Sequence, residues 1–445
     1  MPAKRPPARG NPPRSGRSAN GKPAPRTTRV DQVAQVLGEI LQWSGPADGV
    51  LSRWLRAHPK LGARDRGEIA EAVYQTLRHL RRYRRYAESG SGPASRRLAV
   101  LGLADTLGEG AWRSALTGAE AEWLAHVGRL DAQSLPRAVR HSLPDWLDDA
   151  LGRLDEPEAL MAALNQPAAL DIRANPLKAD RDAVLEALRA EAGQPGSRIP
   201  AGEPMPWSPW GIRLPAGTPL QRWERFLDGT VEVQDEGSQL LALLVGPKRG
   251  EMVIDFCAGA GGKTLLLGAL MRSSGRLYAF DVSAARLARL TPRLARSGLS
   301  NVEPVVIANE NDARVKRLAG KAQRVLVDAP CTGTGTLRRN PDIKWRQNPA
   351  ALESLHALQA SILASAARCV APGGRLVYAT CSLLPEENER QAEAFLAAHP
   401  GFRAVPAGEI LAGRTGVPLD GPHLKLRPDR HGTDGFFAAV FERTS

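Results

Sequence analysis

Residues 251–263 read EMVIDFCAGAGGK. Met252 to Asp255 is a short apolar run ending in an acid, a glycine-rich turn follows, and Thr264 to Met271 is apolar at helical spacing. Strand, Gly-rich turn and helix in that order form the nucleotide- or cofactor-binding corner of a parallel α/β sheet. Two other stretches have the same grammar. Arg324 to Cys331 (RVLVDAPC) and Arg375 to Ser382 (RLVYATCS) are each a hydrophobic strand ending in a polar cluster with a cysteine. The carboxyl ends of parallel strands line one crevice, so Gly259, Gly261, Cys331 and Cys381 are expected to converge there.

Working outward, strands are predicted at Met252–Asp255, Leu277–Asp281, Glu303–Ile307, Val325–Asp328 and Leu376–Thr380, with helices between them. That alternation predicts an α/β domain with a doubly wound, mostly parallel, Rossmann-like sheet over residues 236–445. Pro372-Gly-Gly374 is read as a turn before the last of these strands, and Gly435 to Phe441 as an edge strand closing the sheet. Upstream, residues 155–235 read as a small α/β connecting domain, with a strand near Leu170–Asn175, a helix over Arg181–Ala190 and loops with short strands over Pro204–Pro219.

Residues 29–154 read as all-helical. Val33, Val36, Leu37, Ile40 and Leu41 fall at helical spacing, and a second helix runs from Asp65 through Ile69, Val73, Leu77 and Leu80 into Arg78–Tyr86. That last stretch interleaves arginines with tyrosines, a pattern suited to phosphate contact and base stacking; a solvated helix end is the competing reading. Residues 1–28 are Pro, Gly, Arg, Lys and Ser with almost no large apolar side chain, which predicts a disordered basic tail.

The 445-residue chain has a formal charge of +13, which points to a polyanionic partner, most simply RNA. Residues 1–30 hold eight Lys/Arg and no acid, leaving only +5 for the rest. No apolar run reaches the ~18 residues of a membrane span. The four cysteines, Cys257, Cys331, Cys369 and Cys381, show neither CxxC pairing nor zinc-ligand spacing, so no metal is expected and a reducing cytoplasm is the natural compartment.

The glycine turn alone permits several ligands. A Walker A loop ending at Gly262-Lys-Thr264 needs glycine at 257, where Cys257 stands; a dinucleotide turn from Gly259 needs Gly or Ala at 264, where Thr264 stands. Asp255-x-x-x-Gly259-x-Gly261-Gly262 instead resembles the turn of cofactor-binding methyltransferases: its glycines let backbone approach a ligand, and the next helix N-terminus favours a carboxylate such as S-adenosylmethionine supplies. Asp281, ending the second strand, suits ribose hydroxyls, and Asp312 suits the adenine amine, with Asn309 as a rival. Asp328-Ala-Pro-Cys331 and Thr380-Cys381-Ser382 suit cytosine chemistry. Carbon-5 of cytosine is a poor nucleophile until a thiolate adds at C6. An acid such as Asp328 can favour protonation at N3, and a second group must help remove the C5 proton. Cys369, inside an apolar helix, is read as an inert core residue.

DFCAGAGGKT, VLVDAPCTGTG, RRNPDIKW and VYATCSLLPEEN together resemble the NOL/NOP/Sun family of RNA cytosine-5 methyltransferases, most closely its bacterial 16S ribosomal RNA enzymes. Residues 231–445 carry the likeness, and Leu61-Gly-Ala-Arg-Asp-Arg66 with its flanking helices resembles the NusB-like RNA-binding domain of those enzymes. The resemblance implies Cys381 as nucleophile and Cys331 as the residue assisting release. It implies that Cys257, Ala258, Gly259, Ala260, Gly261, Gly262, Lys263, Asp281, Asp312 and Asp328 hold S-adenosylmethionine. It also implies that Arg338, Arg339, Asp342, Lys344 and Trp345 face the RNA. One departure is the replacement of the family's usual Ala-Pro by Gly259-Ala260, which predicts a more flexible loop. A DNA cytosine methyltransferase would use Cys331 instead. A non-catalytic ribosome-assembly factor would have no need of Cys331, Cys381 and Asp328 together.

Overall fold

The computed structural model describes residues 27–444. The tail expected over 1–28 therefore lies outside the described residues, apart from its last two. Thr28 opens the first helix, Arg29–Ile40: its side chain accepts from Asp31 N–H and the Asp31 carboxylate reaches back to the Thr28 N–H, a capping box. Further helices span Ala47–Ala57, Ala63–Arg78, Leu80–Ala87, Ala94–Leu107 and Gly118–Val127. They pack Val33, Leu37, Ile69, Val73, Leu77 and Leu98 into one core. Gly102 lets two of them cross closely, because a Cβ there would sit 2.1 Å from Thr76 Oγ1. The long helix expected through Tyr86 is two helices, broken at His79, and Ala47–Ala57 was not anticipated.

Strands β1 (Leu170–Ala174), β2 (Glu203–Pro204), β3 (Gly211–Leu214) and β4 (Val231–Val233) form an antiparallel sheet in the order β2-β3-β1-β4. The helix Arg181–Ala192, capped by Asp180, covers it through Val184, Leu185 and Leu188.

The large sheet contains β5 (Met252–Asp255), β6 (Arg276–Asp281), β7 (Val302–Val306), β8 (Ala322–Asp328), β9 (Val370–Thr380), β10 (Phe402–Val405), β11 (Leu424–Leu426) and β12 (Phe436–Arg443). Its order is β10-β12-β9-β8-β5-β6-β7, with β11 also on β12. The chain steps outward from β5 to β7, then returns to β8 and β9 on the other side, so the strand order reverses between β5 and β8. β5 to β9 are parallel, and β12 is antiparallel to β9, β10 and β11. One face packs on helices Glu236–Val245 and Gly262–Leu270, the other on Pro349–Cys369 and Glu389–Ala398. The doubly wound α/β reading holds. Two local readings do not. The Gly435–Phe441 strand is flanked on both sides, by β9 and by β10 and β11, so it is not the edge. Pro372-Gly-Gly374 lies within β9 as an irregularity, where the strand passes from Val370 to Arg375 while its neighbour passes from Ala322 to Arg324. Among the described residues no helix is long and apolar enough to cross a membrane.

Candidate active site

At the reversal point, the carboxyl ends of β5, β6, β8 and β9 surround a cavity of about 660 Å³. Asp255, Cys257, Ala258, Gly259, Ala260, Gly262 and Lys263 line it from the first turn, Asp281 and Val282 from the second strand end, and Asp328, Cys331 and Cys381 from the last two. Leu358 and Ile362 of the helix Pro349–Cys369 form an apolar wall.

The turn is shaped by two glycines. Gly259 has φ +57° and donates its N–H to Asp281 Oδ2 at 2.8 Å, tying the loop to the second strand. Gly261 has φ +82°, and a Cβ there would lie 2.2 Å from Leu290 Cδ1; it shapes the turn without lining the cavity. Arg293 donates to Ala260 O at 2.5 Å while held by Glu232, which ties the loop at Ala260 to the helix that carries Arg293. Asp281 is buried and also accepts from Ser283 N–H at 2.7 Å.

Asp312 is a correction. It caps the helix Ala313–Lys316, accepts from Ala308 N–H at 2.8 Å and pairs with Arg314, and it does not line the cavity. The Arg314 hydrogen bond, followed by those from Ala308 and Arg314 N–H, holds its carboxyl well below the usual range. Its short polar side chain serves the local turn. Asn309 and Glu310 line the cavity in its place.

Lys263 Nζ contacts Asp328 Oδ2 at 2.7 Å and lies 5.5 Å from the Phe436 ring centroid. Burial alone would lower the Lys263 pKa, but Asp328, with help from Cys381 and Asp255, holds it above its ordinary value. Asp255 is fully buried. Thr264 Oγ1 donates to its Oδ2 at 2.6 Å, while Oδ1 has no hydrogen-bond partner among the described residues. Burial pushes its pKa up to about 7.

Cys331 Sγ and Cys381 Sγ lie 3.3 Å apart although 50 residues separate them. The hydrogen bond with Cys381, then burial, raises the Cys331 pKa well above that of a free thiol. Cys257 is also raised, by burial first and then by neighbouring acids. Cys369 is buried under Val315 O and pushed up to about 11 by burial.

The residues expected to face RNA after Cys331 turn inward. Arg339 reaches Asp434 at 2.7 Å, Asp235 at 3.1 Å and Asp171 at 3.2 Å, and Arg338 pairs with Asp434. Asp342 accepts from Ala47 N–H at 3.1 Å, at the start of a distant helix. Lys344 is 1% exposed and donates to Arg78 O, Ser142 O and Asn165 Oδ1. Trp345 packs on the helical core and donates to Leu77 O. Their partners were invisible locally because they come from the other end of the chain. In the Arg78–Tyr86 stretch, Tyr83 is buried and bonded to Asp105, and Arg81 pairs with Asp145; only Arg84 and Arg85 are exposed. Sequence reading passed over Glu387, Asn388 and Gln359, all buried behind the thiols. The polar run Pro385-Glu-Glu-Asn388, just after Cys381, was the available signal.

Residues 242–442 match the family model described as "16S rRNA methyltransferase RsmB/F". The "Probable ribosomal RNA small subunit methyltransferase B" of Synechocystis sp. is 37% identical over 71% of this chain and 70% of its own length. The ribosomal RNA small subunit methyltransferase B of Sodalis glossinidius is 36% identical over 68% of this chain and 66% of its own. Among solved structures, PH0851 superposes with TM-score 0.74 and 26% identity, covering 95% of this chain and 99% of that one. Sequence similarity of this extent, on the fold just described, makes the chain a member of the RsmB/F family of ribosomal RNA methyltransferases.

Proposed function

We propose that this protein methylates carbon-5 of a cytosine in 16S ribosomal RNA through a covalent bond between Cys381 and C6 of the ring. The observation that carries the reading is the 3.3 Å thiol pair opening onto the cavity beside Lys263 and Asp328. S-adenosylmethionine, when bound, supplies an electrophilic methyl carbon. Asp281, already held by Gly259 and Ser283 N–H, faces the cavity where ribose hydroxyls would bind, the turn Cys257–Lys263 approaches with backbone, and Asn309 and Glu310 offer polar groups on the adenine side, next to the apolar wall of Leu358 and Ile362.

The Cys381 thiolate adds to C6, which makes C5 an enamine carbon able to form a new C–C bond. As the thiolate adds, N3 takes up the proton that the Cys381 thiol gave up, so the adduct is neutral, and the Asp328 carboxylate, paired with Lys263, accepts a hydrogen bond from that N3–H. Once C5 carries the methyl group, its proton passes to a base, the electron pair restores the ring double bond, and the C6–S bond breaks. Cys331, whose thiol keeps its proton, hydrogen-bonds the departing Cys381 sulfur. Residues 29–154 serve as a NusB-like RNA-binding domain and residues 155–235 as a connecting one, with the basic tail adding salt-dependent affinity. The setting is the cytoplasm, where the thiols stay reduced.

The test is methyl transfer from labelled S-adenosylmethionine to unmodified small-subunit RNA. Wild type should turn over, Cys331→Ala should accumulate a covalent RNA adduct, and Cys381→Ala should do neither. An adduct with Cys381→Ala would reverse the thiol roles. RNA binding by wild type without any transfer would favour an assembly factor.

A further inference from the structure

Glu387 and Asn388 touch the flanks of both thiols without lining the cavity. Glu387 has 0% exposure. One of its oxygens accepts from Thr332 N–H at 2.8 Å and Gln359 Nε2 at 2.9 Å, the other from the Thr332 hydroxyl at 2.5 Å. Thr332 follows Cys331 directly. No lysine or arginine pairs with Glu387 among the described residues, so its only compensation is from neutral donors. Asn388 serves the other thiol. Its Oδ1 accepts from the Thr380 hydroxyl at 2.5 Å and its Nδ2 donates to Ser382 O at 2.9 Å, the two residues on either side of Cys381. Tyr378 in the same strand donates its hydroxyl to Glu387 O at 2.6 Å, which fixes the dipeptide to the sheet.

Resting on the reading of Cys381 as nucleophile, we propose that Glu387 and Asn388 are positioning residues: together they set the separation of the two sulfurs, and the buried Glu387 carboxylate leaves the shared proton on Cys331. A carboxylate bonded to the peptide next to Cys331, with no cation to neutralise it, opposes a second negative charge on that sulfur. The groups that face Cys331 are Cys381 at 3.3 Å, Glu387 and Tyr378, with the Lys263–Asp328 pair across the cavity. None of these is a free cation, since Lys263 is spent on Asp328. The raised Cys331 pKa, due first to Cys381 and burial and then to Glu387, agrees with this geometry.

The test uses the full-length protein without RNA. Initial alkylation rates of Cys331 and Cys381 by iodoacetamide are followed from pH 6 to 11 by peptide mass spectrometry. The midpoint of each profile reports ionisation separately from access. In wild type, the Cys331 midpoint should lie at least one pH unit above that of Cys381. Glu387→Gln keeps the shape and removes the charge, and should lower the Cys331 midpoint by about a unit, a tenfold gain in thiolate below it. A wild-type order in which Cys331 ionises first overturns the proposal, and so does an unchanged Cys331 midpoint in a folded Glu387→Gln protein. If that variant does not fold, the wild-type order alone decides. These midpoints need no turnover, so an enzyme that transfers no methyl group would defeat the functional reading while leaving this one to be judged separately.

Discussion

Two regions of this molecule are crowded with charged side chains, one joined by thiols and the other by an indole, and both resemble ligand-facing surfaces in the sequence. At the ends of β5, β6, β8 and β9 those side chains do meet open space: Asp281, Asp328, Lys263 and the two thiols line a cavity of about 660 Å³. In the segment from Arg338 to Trp345 they meet the protein's own interior. Arg339 is shared by three carboxylates, and Lys344 is capped by three oxygens. The residue types alone do not distinguish the two. What differs is where the opposing groups come from. A parallel sheet sends its strand ends to one edge whatever the intervening chain does, whereas the partners of a charged loop can lie anywhere in the chain.

The contrast breaks most sharply at Cys381 itself. Cys381→Ala should cost ~1000-fold or more in methyl transfer, measured as single-turnover rate, with a melting temperature near that of the parent. A large loss of stability instead would make the site as structural as the junction. On the other side, Arg339→Ala leaves Asp171, Asp235 and Asp434 without their common cation, at a cost of roughly 3–5 kcal/mol in denaturant titration. If stability holds and RNA affinity falls, Arg339 belongs to the RNA surface after all.

Asp255 sharpens the comparison from within the cavity, because it is a site residue that works against the fold. Its folded pKa of about 7 lies above the usual 3.8, so the folded state holds a proton that the unfolded chain releases between those values. Its contribution to stability therefore falls as pH rises from about 3.8 towards 7. Asp255→Asn removes that slope, and its stability relative to the parent should improve by roughly 2–3 kcal/mol from pH 5 to pH 8. Parallel unfolding curves across that range would show an Asp255 that is ionised throughout. The smallest effect belongs to the junction: Asp342→Ala removes a cap from the helix starting at Ala47 and should cost about 1 kcal/mol. RNA binding at constant temperature should be unchanged.

The same contrast explains what could be read in advance. Met252–Asp255, Val325–Asp328 and Leu376–Thr380 lie within observed strands because each is a buried apolar run bounded by polar turns, a strong local pattern. The placement of Cys331 beside Cys381 follows from those strands being neighbours and parallel. Asp312 misled because an Asp two residues after the right loop position is also a good helix cap, and the short helix took it. The Gly435–Phe441 strand read as an edge because its eventual neighbours, Phe402–Val405 and Leu424–Leu426, are too short to show a period. Glu387 was passed over because an acid in a polar run reads as surface, and only the fold shows it with 0% exposure.

Trp345 packs against the helical core and bonds to Leu77, 268 residues earlier in the chain. A ribosome adding ~5–20 residues per second needs roughly 13–54 s to make that interval. For all of that time the newly made helical region exists without the indole that packs on it and without Asp342 to cap its second helix. The amino-terminal helices therefore emerge as an unfinished surface, and synthesis of the later half completes the earlier one.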